Sequence, residues 1–369
     1  MYLMKKGNAP NQAHVNVPEG LYEEEHGRHG FFGPASHLYR RHPPTGWVRI
    51  DGPLRPRAFA CAALPTPDQR SGDAKPVEIL HSPDVRVFLS RRAETMPYFV
   101  RNGDGDEVQF VHTGRGRFET DYGVLPYAPG DYVVIPKGTT YRIIVEAGPS
   151  LFLIAETPTP VELPERGLLG HHALFDMGVL MAPEPAPFSK DRDEGREWEV
   201  RIKREGEYTL VFYPFYPMDV VGWKGDLWVA KLNVRDFRPV SSHRYHLPPS
   251  VHATFQAGGL LISTFAPRPL ESDPQSLRVP FYHRNVDYDE VLFYHEGDFF
   301  SRAGIQPGML TLHPQGIHHG PQPKAVEASK AKTHTDEVAV MIESRRPFTV
   351  LPELESVELK EYVHSWSTP

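Results

Sequence analysis

At 369 residues the sequence is long enough for two domains that each bury a full core, since domains commonly have about 100–200 residues. Its net charge of −7 argues against a surface for nucleic acid or anionic membranes, because both need clustered positive charge. The single cysteine excludes an intrachain disulfide and favours an intracellular protein. The first 20 residues lack an apolar run, and no segment approaches the ~18 apolar residues of a membrane span, so we expect no signal peptide and a cytoplasmic location.

Short apolar runs between turn residues dominate the sequence. The 38 prolines and 30 glycines are scattered, and runs such as 132–135 and 210–213 lie between them. This pattern is typical of an all-β sandwich or barrel. Helical periodicity is scarce, with weak candidates after Gly170 and over residues 324–332.

A proline-rich polar segment, TPTPVELPER at 157–166, marks the predicted end of a first β domain. Charged residues of both signs over 188–206 predict an exposed approach to a second β region. We therefore expect an N-terminal β domain over 1–156, a connecting segment over 157–205 and a C-terminal domain over 206–369.

Two stretches of the sequence repeat one another. Residues 99–107 read FVRNGDGDE and residues 282–290 read YHRNVDYDE, and each continues through six residues to a glycine. Further along, residues 130–141 parallel residues 308–319 through shared glycines and a proline. A constant offset within each pair of segments predicts two copies of one supersecondary unit.

The two copies differ at positions that matter for chemistry. The first copy has Val100 and Tyr141 where the second has His283 and His319. Because imidazoles are common metal ligands, the second copy is predicted to be the chemical site. The first copy is predicted to bind no metal.

The second copy reads H-x-N-x4-E-x6-G and then G-x5-P-x-G-x2-H. This pattern resembles the two motifs of the cupin superfamily, which implies two jelly-roll barrels in tandem (a bicupin) with few short helices. The resemblance makes His283, Glu290 and His319 the metal ligands. Two histidines and one carboxylate form the facial triad of non-haem Fe(II) oxygenases.

Compared with the family pattern that it resembles, this sequence has one extra residue between His283 and the glutamate. That residue leaves Asp289 and Glu290 as rival ligands. The run of six residues from Glu290 to Gly297 is repeated from Glu107 to Gly114. This repetition favours Glu290.

Further stretches are similar to the homogentisate 1,2-dioxygenase family: VVGWKG (220–225), YHLPPSVHATF (245–255), RVPFYHRN (278–285), HHGPQP (318–323) and MIESR (341–345). The resemblance implies an Fe(II) enzyme that opens homogentisate to maleylacetoacetate in tyrosine and phenylalanine catabolism. An aromatic acid and O2 are the implied partners, and a homo-oligomer, a trimer or hexamer, is implied as well.

The same resemblance assigns roles to individual residues. It makes His246 the catalytic base. It implies substrate contacts at His313, His319, Arg284, Asn285 and Phe299. At Phe299 the family has a tyrosine, so the exact substrate stays open, and Tyr288 and Tyr294 are the nearby phenols that could replace it.

Three other functions stay open from the residues alone. The first is a gentisate-like or other aromatic ring-cleaving dioxygenase. The second is a cupin isomerase that uses Zn or Mn, against which the loss of a histidine at Asn285 argues. The third is a binder of aromatic acids without catalysis. Metal content and O2 consumption separate these functions.

Overall fold

The structure is a computed structural model that describes residues 4–185, 195–278, 281–299, 302 and 304–366. Strands dominate these residues, and the helices are few and short. Among them, no helix has the length and apolar character needed to cross a membrane.

The first thirteen strands lie before residue 234. They are β1 (Tyr22–Gly27), β2 (Ala35–Arg40), β3 (Arg57–Phe59), β4 (Val77–His81), β5 (Arg86–Arg92), β6 (Phe99–Asn102), β7 (Asp106–Thr120), β8 (Gly123–Tyr127), β9 (Asp131–Ile135), β10 (Thr140–Thr157), β11 (Trp198–Arg204), β12 (Glu207–Tyr213) and β13 (Ala230–Asn233).

The remaining strands are β14 (Ala253–Ala257), β15 (Leu260–Phe265), β16 (Arg268–Pro269), β17 (Tyr282–Asn285), β18 (Asp289–Glu296), β19 (Leu310–His313), β20 (His334–Thr335), β21 (Val338–Ser344) and β22 (Thr349–Val350). The helices are α1 (Pro67–Arg70), α2 (Pro323–Ser329) and α3 (Pro352–Glu355). Short 3-10 turns cover Cys61–Ala63, His171–Ala173, Met177–Val179, Pro249–His252 and Lys360–Trp366.

The fold is mostly β, with two cupin-type barrels, as the sequence predicts. An eleven-stranded sheet contains β4 to β13 and β22, and a six-stranded sheet runs in the order β14-β15-β21-β18-β19-β3. Strand β21 is buried at every position. Its near-continuous apolar run fits a strand that is covered on both faces.

The sheets exchange strands between the two halves of the sequence. Strand β3 extends the second sheet beside β19, while β13 pairs with β9 in the first sheet. Strand β1 pairs in parallel with β17 and places Glu25 opposite His283. The domain boundaries remain a prediction, and paired strands cross them. Of the charged stretch 188–206, residues 188–194 lie outside the described residues, and 198–204 form β11.

A single apolar core joins the two barrels. It includes Phe59 near the start of the chain and Leu354 near its end, both fully buried. Between the barrels Phe110 faces Phe293, with ring centroids 6.5 Å apart. The second barrel is therefore held in place by the first, which keeps its interior in a fixed shape.

Candidate metal centre

Three segments bring the predicted ligands together at one end of the second barrel. His283 lies on β17 and Glu290 lies on β18. His319 follows β19 and forms an isolated bridge with His283, through hydrogen bonds of 2.9 and 3.0 Å between their backbones. The chain at His319 makes this single bridge and is not part of a longer strand.

The ligand atoms of these residues converge. Glu290 Oε2 lies 2.9 Å from His319 Nε2, and Glu290 Oε1 lies 3.4 Å from His283 Nε2. One ligand atom from each residue lies within 4.8 Å of the others. Glu290 and His319 are buried, and His283 is half-buried.

Backbone carbonyl groups near the two imidazoles favour a hydrogen on Nδ1 of each ring. His283 Nδ1 lies 3.2 Å from the carbonyl oxygen of Phe281, and His319 Nδ1 lies 3.2 Å from that of Ile317. A hydrogen on each Nδ1 leaves each Nε2 as the basic nitrogen, which is the arrangement found in metal-binding histidines. These assignments follow from the hydrogen-bond partners.

The donor atoms fit a divalent cation. Among the described residues, His283 Nε2 and Glu290 Oε1 are buried without a hydrogen-bond partner. Buried polar atoms without partners are costly, and a cation between them would satisfy both. Neutral imidazoles with one carboxylate suit zinc or first-row redox metals such as iron.

The charges at the site favour the ligand forms of these groups. Burial opposes ionisation of Glu290, but the nearby His319 and His283 hold the pKa of its carboxyl well below its usual value. Burial lowers the pKa of His319, which favours the neutral imidazole. Glu343, opposite Glu290 on β21, is fully buried, and burial together with the charge of Glu290 raises its pKa well above the usual value.

A cavity of about 100 Å³ extends from the metal ligands into the barrel. Most of its wall surface is apolar, although seven of the sixteen lining residues are histidine, arginine or glutamate. The residues that line it are Phe31, His246, Pro249, His252, Phe265, Arg268, Phe281, His283, Glu290, Leu292, Tyr294, Arg302, Gly320, Glu337, Ala339 and Met341. Such a wall is typical of a site for a small aromatic molecule.

His246 shares this cavity with the metal ligands. It lies in the loop before β14, buried rather than at an exposed rim, and its ring centroid is 5.1 Å from that of Phe281. His246 Nδ1 lies 2.9 Å from Glu271 Oε1, which leaves Nε2 as the basic nitrogen. Burial lowers the pKa of His246, and Glu271 opposes this effect.

Two other predicted site residues lie behind the metal ligands. The His313 ring stacks on the His319 ring at 4.8 Å, and its Nε2 lies 3.1 Å from the Tyr362 hydroxyl. Asn285 accepts hydrogen bonds from the backbone of Asp287 and Tyr288, which shapes the turn between β17 and β18. Neither His313 nor Asn285 lines this cavity, and their contacts with a substrate stay predictions.

Arg284 and Phe299 also lie away from the cavity wall. Arg284 follows His283 on β17, where successive side chains point to opposite faces of the strand. Its Nε lies 3.6 Å from Glu24. Phe299 is buried edge-on against Tyr294, with ring centroids 4.8 Å apart. Of the two phenols that could replace the family's tyrosine, Tyr294 lines the cavity, and its hydroxyl lies 3.0 Å from Thr311 Oγ1.

No sequence motif indicated several of the residues that line the cavity. Arg268, Arg302 and Glu337 bring charge into the cavity, and His252 adds an imidazole. Phe31 comes from the hairpin of β1 and β2, more than 200 residues before the motif. Their approach depends on strand pairings between distant segments, which no local pattern encodes.

A second histidine and carboxylate cluster lies beside the cavity. His14 Nδ1 is 2.8 Å from Glu23, and Glu25 lies between His14 and His37 at 3.6 and 3.2 Å. Glu23 also accepts a hydrogen bond from the backbone of His14 at 3.0 Å. The imidazoles and carboxylates of the cluster therefore lie within ion-pair distance of one another. The His14 ring also packs against the His246 ring at 5.6 Å.

The corresponding positions of the first barrel hold a different arrangement. Tyr141, which takes the place of His319, donates a hydrogen bond of 2.7 Å to Glu107. Asn102 also donates to Glu107, at 2.7 Å. Val100 offers no ligand atom where the second copy has His283, and the absence of metal from this barrel stays a prediction.

The solved structures that resemble this chain are distant from it in sequence. A cupin 2 conserved barrel domain protein from Leptotrichia buccalis is 11% identical, with a TM-score of 0.35 over 78% of this chain and 95% of that chain. The E. coli protein Ylba is 6% identical, with a TM-score of 0.40 over 81% of this chain and 95% of that chain.

Sequence relatives are much closer. A Saccharolobus solfataricus protein that is named provisionally as a dioxygenase is 33% identical over 100% of both chains. The homogentisate 1,2-dioxygenase of Nitrobacter hamburgensis is 28% identical over 71% of this chain, and that of Rhodopseudomonas palustris is 29% identical over 67%. These matches span 60% and 57% of those two proteins.

Family models divide the chain into two matching regions. The model for the N-terminal part of homogentisate 1,2-dioxygenase matches residues 79–233, and the model for the C-terminal part matches residues 249–368. The second region contains all three converging ligands. The chain belongs to the homogentisate 1,2-dioxygenase family.

Proposed function

We propose that the protein is a non-haem Fe(II) dioxygenase that opens the ring of homogentisate or a similar hydroquinone-type aromatic acid. Both atoms of O2 enter the product, so no other reductant is needed. The observation that carries the proposal is the convergence of His283, Glu290 and His319 on one point beside a buried cavity. Two histidines and one carboxylate are typical of non-haem Fe(II) oxygenases.

The three ligands would hold Fe(II) and leave part of its coordination shell open. Bound there, Fe(II) supplies the redox chemistry that lets a closed-shell aromatic react with O2. The protein supplies the site for the aromatic ring. Phe281 and Phe31 flank His283, with ring centroids 5.1 and 5.3 Å from the imidazole.

His246 is the base in this proposal. A phenol must lose its proton to become a strong metal ligand and an electron-rich ring. Because Glu271 accepts the Nδ1 hydrogen of His246, Nε2 is the nitrogen that can take this proton. The burial that lowers the His246 pKa also keeps the imidazole neutral, and therefore ready to accept a proton near pH 7.

The apolar wall serves the reaction by excluding water. Leu292, Ala339 and Met341 line the cavity together with the aromatic rings. A dry site strengthens the interaction of the charged groups with the substrate and protects reactive species from water.

The physiological setting is part of the proposal. Conversion of homogentisate to maleylacetoacetate would place the protein in tyrosine and phenylalanine catabolism, in the cytoplasm. The names of the bacterial relatives support this substrate. A homo-oligomer, a trimer or hexamer, is proposed on the family resemblance.

A second substrate is favoured by one observation. The family's tyrosine is replaced by Phe299, which packs on Tyr294 and offers no hydroxyl group. Gentisate or another substituted hydroquinone is therefore the second candidate substrate.

Variants of the ligands and of the base test the proposal. We expect His283→Ala, Glu290→Ala and His319→Ala to lose iron after anaerobic loading, as measured by elemental analysis. We expect His246→Ala to keep iron and lose turnover by about 100-fold or more, because general bases commonly contribute 10²–10⁴. Loss of iron in His246→Ala would show that the base assignment is wrong, and full iron in the ligand variants would overturn the site.

A further inference from the structure

Arg268 is a buried cation in the same cavity as the metal ligands. It lies on β16, and its backbone N–H donates a hydrogen bond of 3.2 Å to Thr335 Oγ1 on the paired strand β20. Its guanidinium carbon lies 5.9 Å from the ring centroid of Phe265. Arg268 therefore lines the cavity from β16, whereas His283 and Glu290 line it from β17 and β18.

The described residues leave part of the Arg268 guanidinium without a hydrogen-bond partner. Its Nη1 is buried and has no hydrogen-bond acceptor among the described residues. No described carboxylate lies within the 4.0 Å that defines an ion pair with Arg268. Arg302, the other arginine of the cavity wall, differs because its Nη1 donates to the carbonyl oxygen of Gly320 at 2.9 Å.

An unpaired buried guanidinium is costly, and an anionic ligand removes that cost. The guanidinium is planar and presents parallel N–H groups, a shape that matches a carboxylate. Glu337 lines the cavity and acts on Arg268 through space, without a hydrogen bond. The positive charges of Arg268, Arg302 and a divalent metal would exceed the negative charges of Glu290 and Glu337 in the wall. The cavity therefore suits an anion.

The wall between the charged ends is suited to an aromatic ring. Phe265 lies beside Arg268, and Phe281 lies beside His283. A ligand that spans this space would have an aromatic ring with a metal-binding oxygen at one end and an acid group at the other.

We propose that Arg268 binds the carboxylate of the aromatic acid whose phenol end faces His283, Glu290 and His319. The inference rests on the proposed ring-cleaving function and names the part of the substrate that sets specificity. It makes the protein selective for aromatic acids over neutral hydroquinones. Arg268 is then a specificity-determining residue rather than a member of the base or metal set.

Equilibrium binding tests this role apart from turnover. Metal-loaded protein without O2 is titrated by calorimetry with homogentisate and with its neutral amide. We expect Arg268→Gln to weaken binding of the acid about 10- to 100-fold, the range for a lost charged hydrogen bond, and to change binding of the amide little. Arg268→Lys keeps the charge, and we expect it to recover part of the loss.

Two further variants separate the role of Arg268 from a structural one. Arg235→Gln, at an exposed arginine, is the control and leaves both affinities unchanged. Glu337→Gln is expected to keep the preference for the acid. If Arg268→Gln weakens the acid and the amide equally, or lowers metal content, the carboxylate role is wrong.

The result also stands apart from the proposed function. A protein that binds homogentisate through Arg268 but consumes no O2 would keep the inference and overturn the dioxygenase. If the unaltered protein turns over homogentisate but Arg268→Gln keeps the same preference for the acid, the dioxygenase stands and the inference is wrong. Failure of the unaltered protein to bind either ligand would overturn the inference for this substrate.

Discussion

Glu271 controls the basicity of His246, the proposed base. A buried imidazole is a weak base, because the interior disfavours the charged imidazolium. Glu271, 2.9 Å away, partly restores basicity by stabilising that cation. The carboxylate thus sets both which nitrogen is basic and how basic it is.

Replacing Glu271 by glutamine is predicted to move the acid limb of the pH profile. Because Glu271 raises the pKa of His246, its loss lowers that pKa and shifts the acid limb of kcat/KM to lower pH. Turnover at the plateau falls about tenfold, since a weaker base accepts the proton less well. Glu353→Gln, at an exposed carboxylate, is the control. An unmoved limb in Glu271→Gln would contradict the coupling of the two residues.

At the scale of elements, the hairpin of β1 and β2 covers the ligand strand β17. Glu25 of β1 is buried against His14, which precedes the hairpin in the chain. Burial disfavours the charge on His14, but the hydrogen bonds that its imidazolium donates to Glu23 and Glu25 outweigh this effect and raise its pKa to about 9. Burial likewise disfavours the charge on Glu25, and the two histidines lower its pKa to about 2.

This hairpin is predicted to make stability depend on pH. The contribution of His14 is complete below its ordinary pKa of 6.5 and is lost as pH rises through about 9. That of Glu25 is complete above 4.5 and is lost as pH falls toward about 2. We expect His14→Gln to lower Tm most at pH 6 and least at pH 9.5. His42→Gln, at an exposed histidine, should lower Tm little at either pH. An equal loss from His14→Gln at both pH values would contradict this account.

The limits of sequence reasoning are clearest among the elements of the site. The motif places His283 and Glu290 on consecutive strands, β17 and β18, because the short turn 286–288 joins them, which is local information. His319 follows from the second motif. The hairpin that carries Phe31 reaches the cavity through a pairing across more than 200 residues, Glu25 with His283. The strand that carries Arg268 pairs with β20, which lies further along the chain. Local periodicity does not encode those pairings, so these cavity residues were missed.

At the scale of the whole molecule, strand exchange joins the two barrels into one cooperative unit. Phe110 of the first barrel is buried against Tyr132 and against Phe293 and His295 of the second. Strand β3 adds an edge to the second sheet, so neither half completes its sheet alone.

Phe110→Ala is therefore predicted to destabilise both barrels together. Loss of a buried phenylalanine costs about 3–5 kcal/mol in the free energy of unfolding, from lost apolar contact and the cavity left behind. Calorimetry should show one transition that moves as a whole to lower temperature. Phe212→Ala, at a ring that is 53% exposed, should change Tm little. Two separate transitions, with only one shifted, would contradict a joined core.

The measurement that tests the central proposal most directly is O2 uptake by the Fe(II)-loaded protein with homogentisate under ¹⁸O2. We expect one O2 consumed per substrate and a ring-opened product that carries both labelled atoms. The Glu290→Ala variant should consume none. Iron bound at His283, Glu290 and His319 with no uptake on homogentisate, gentisate or other substituted hydroquinones would contradict the dioxygenase.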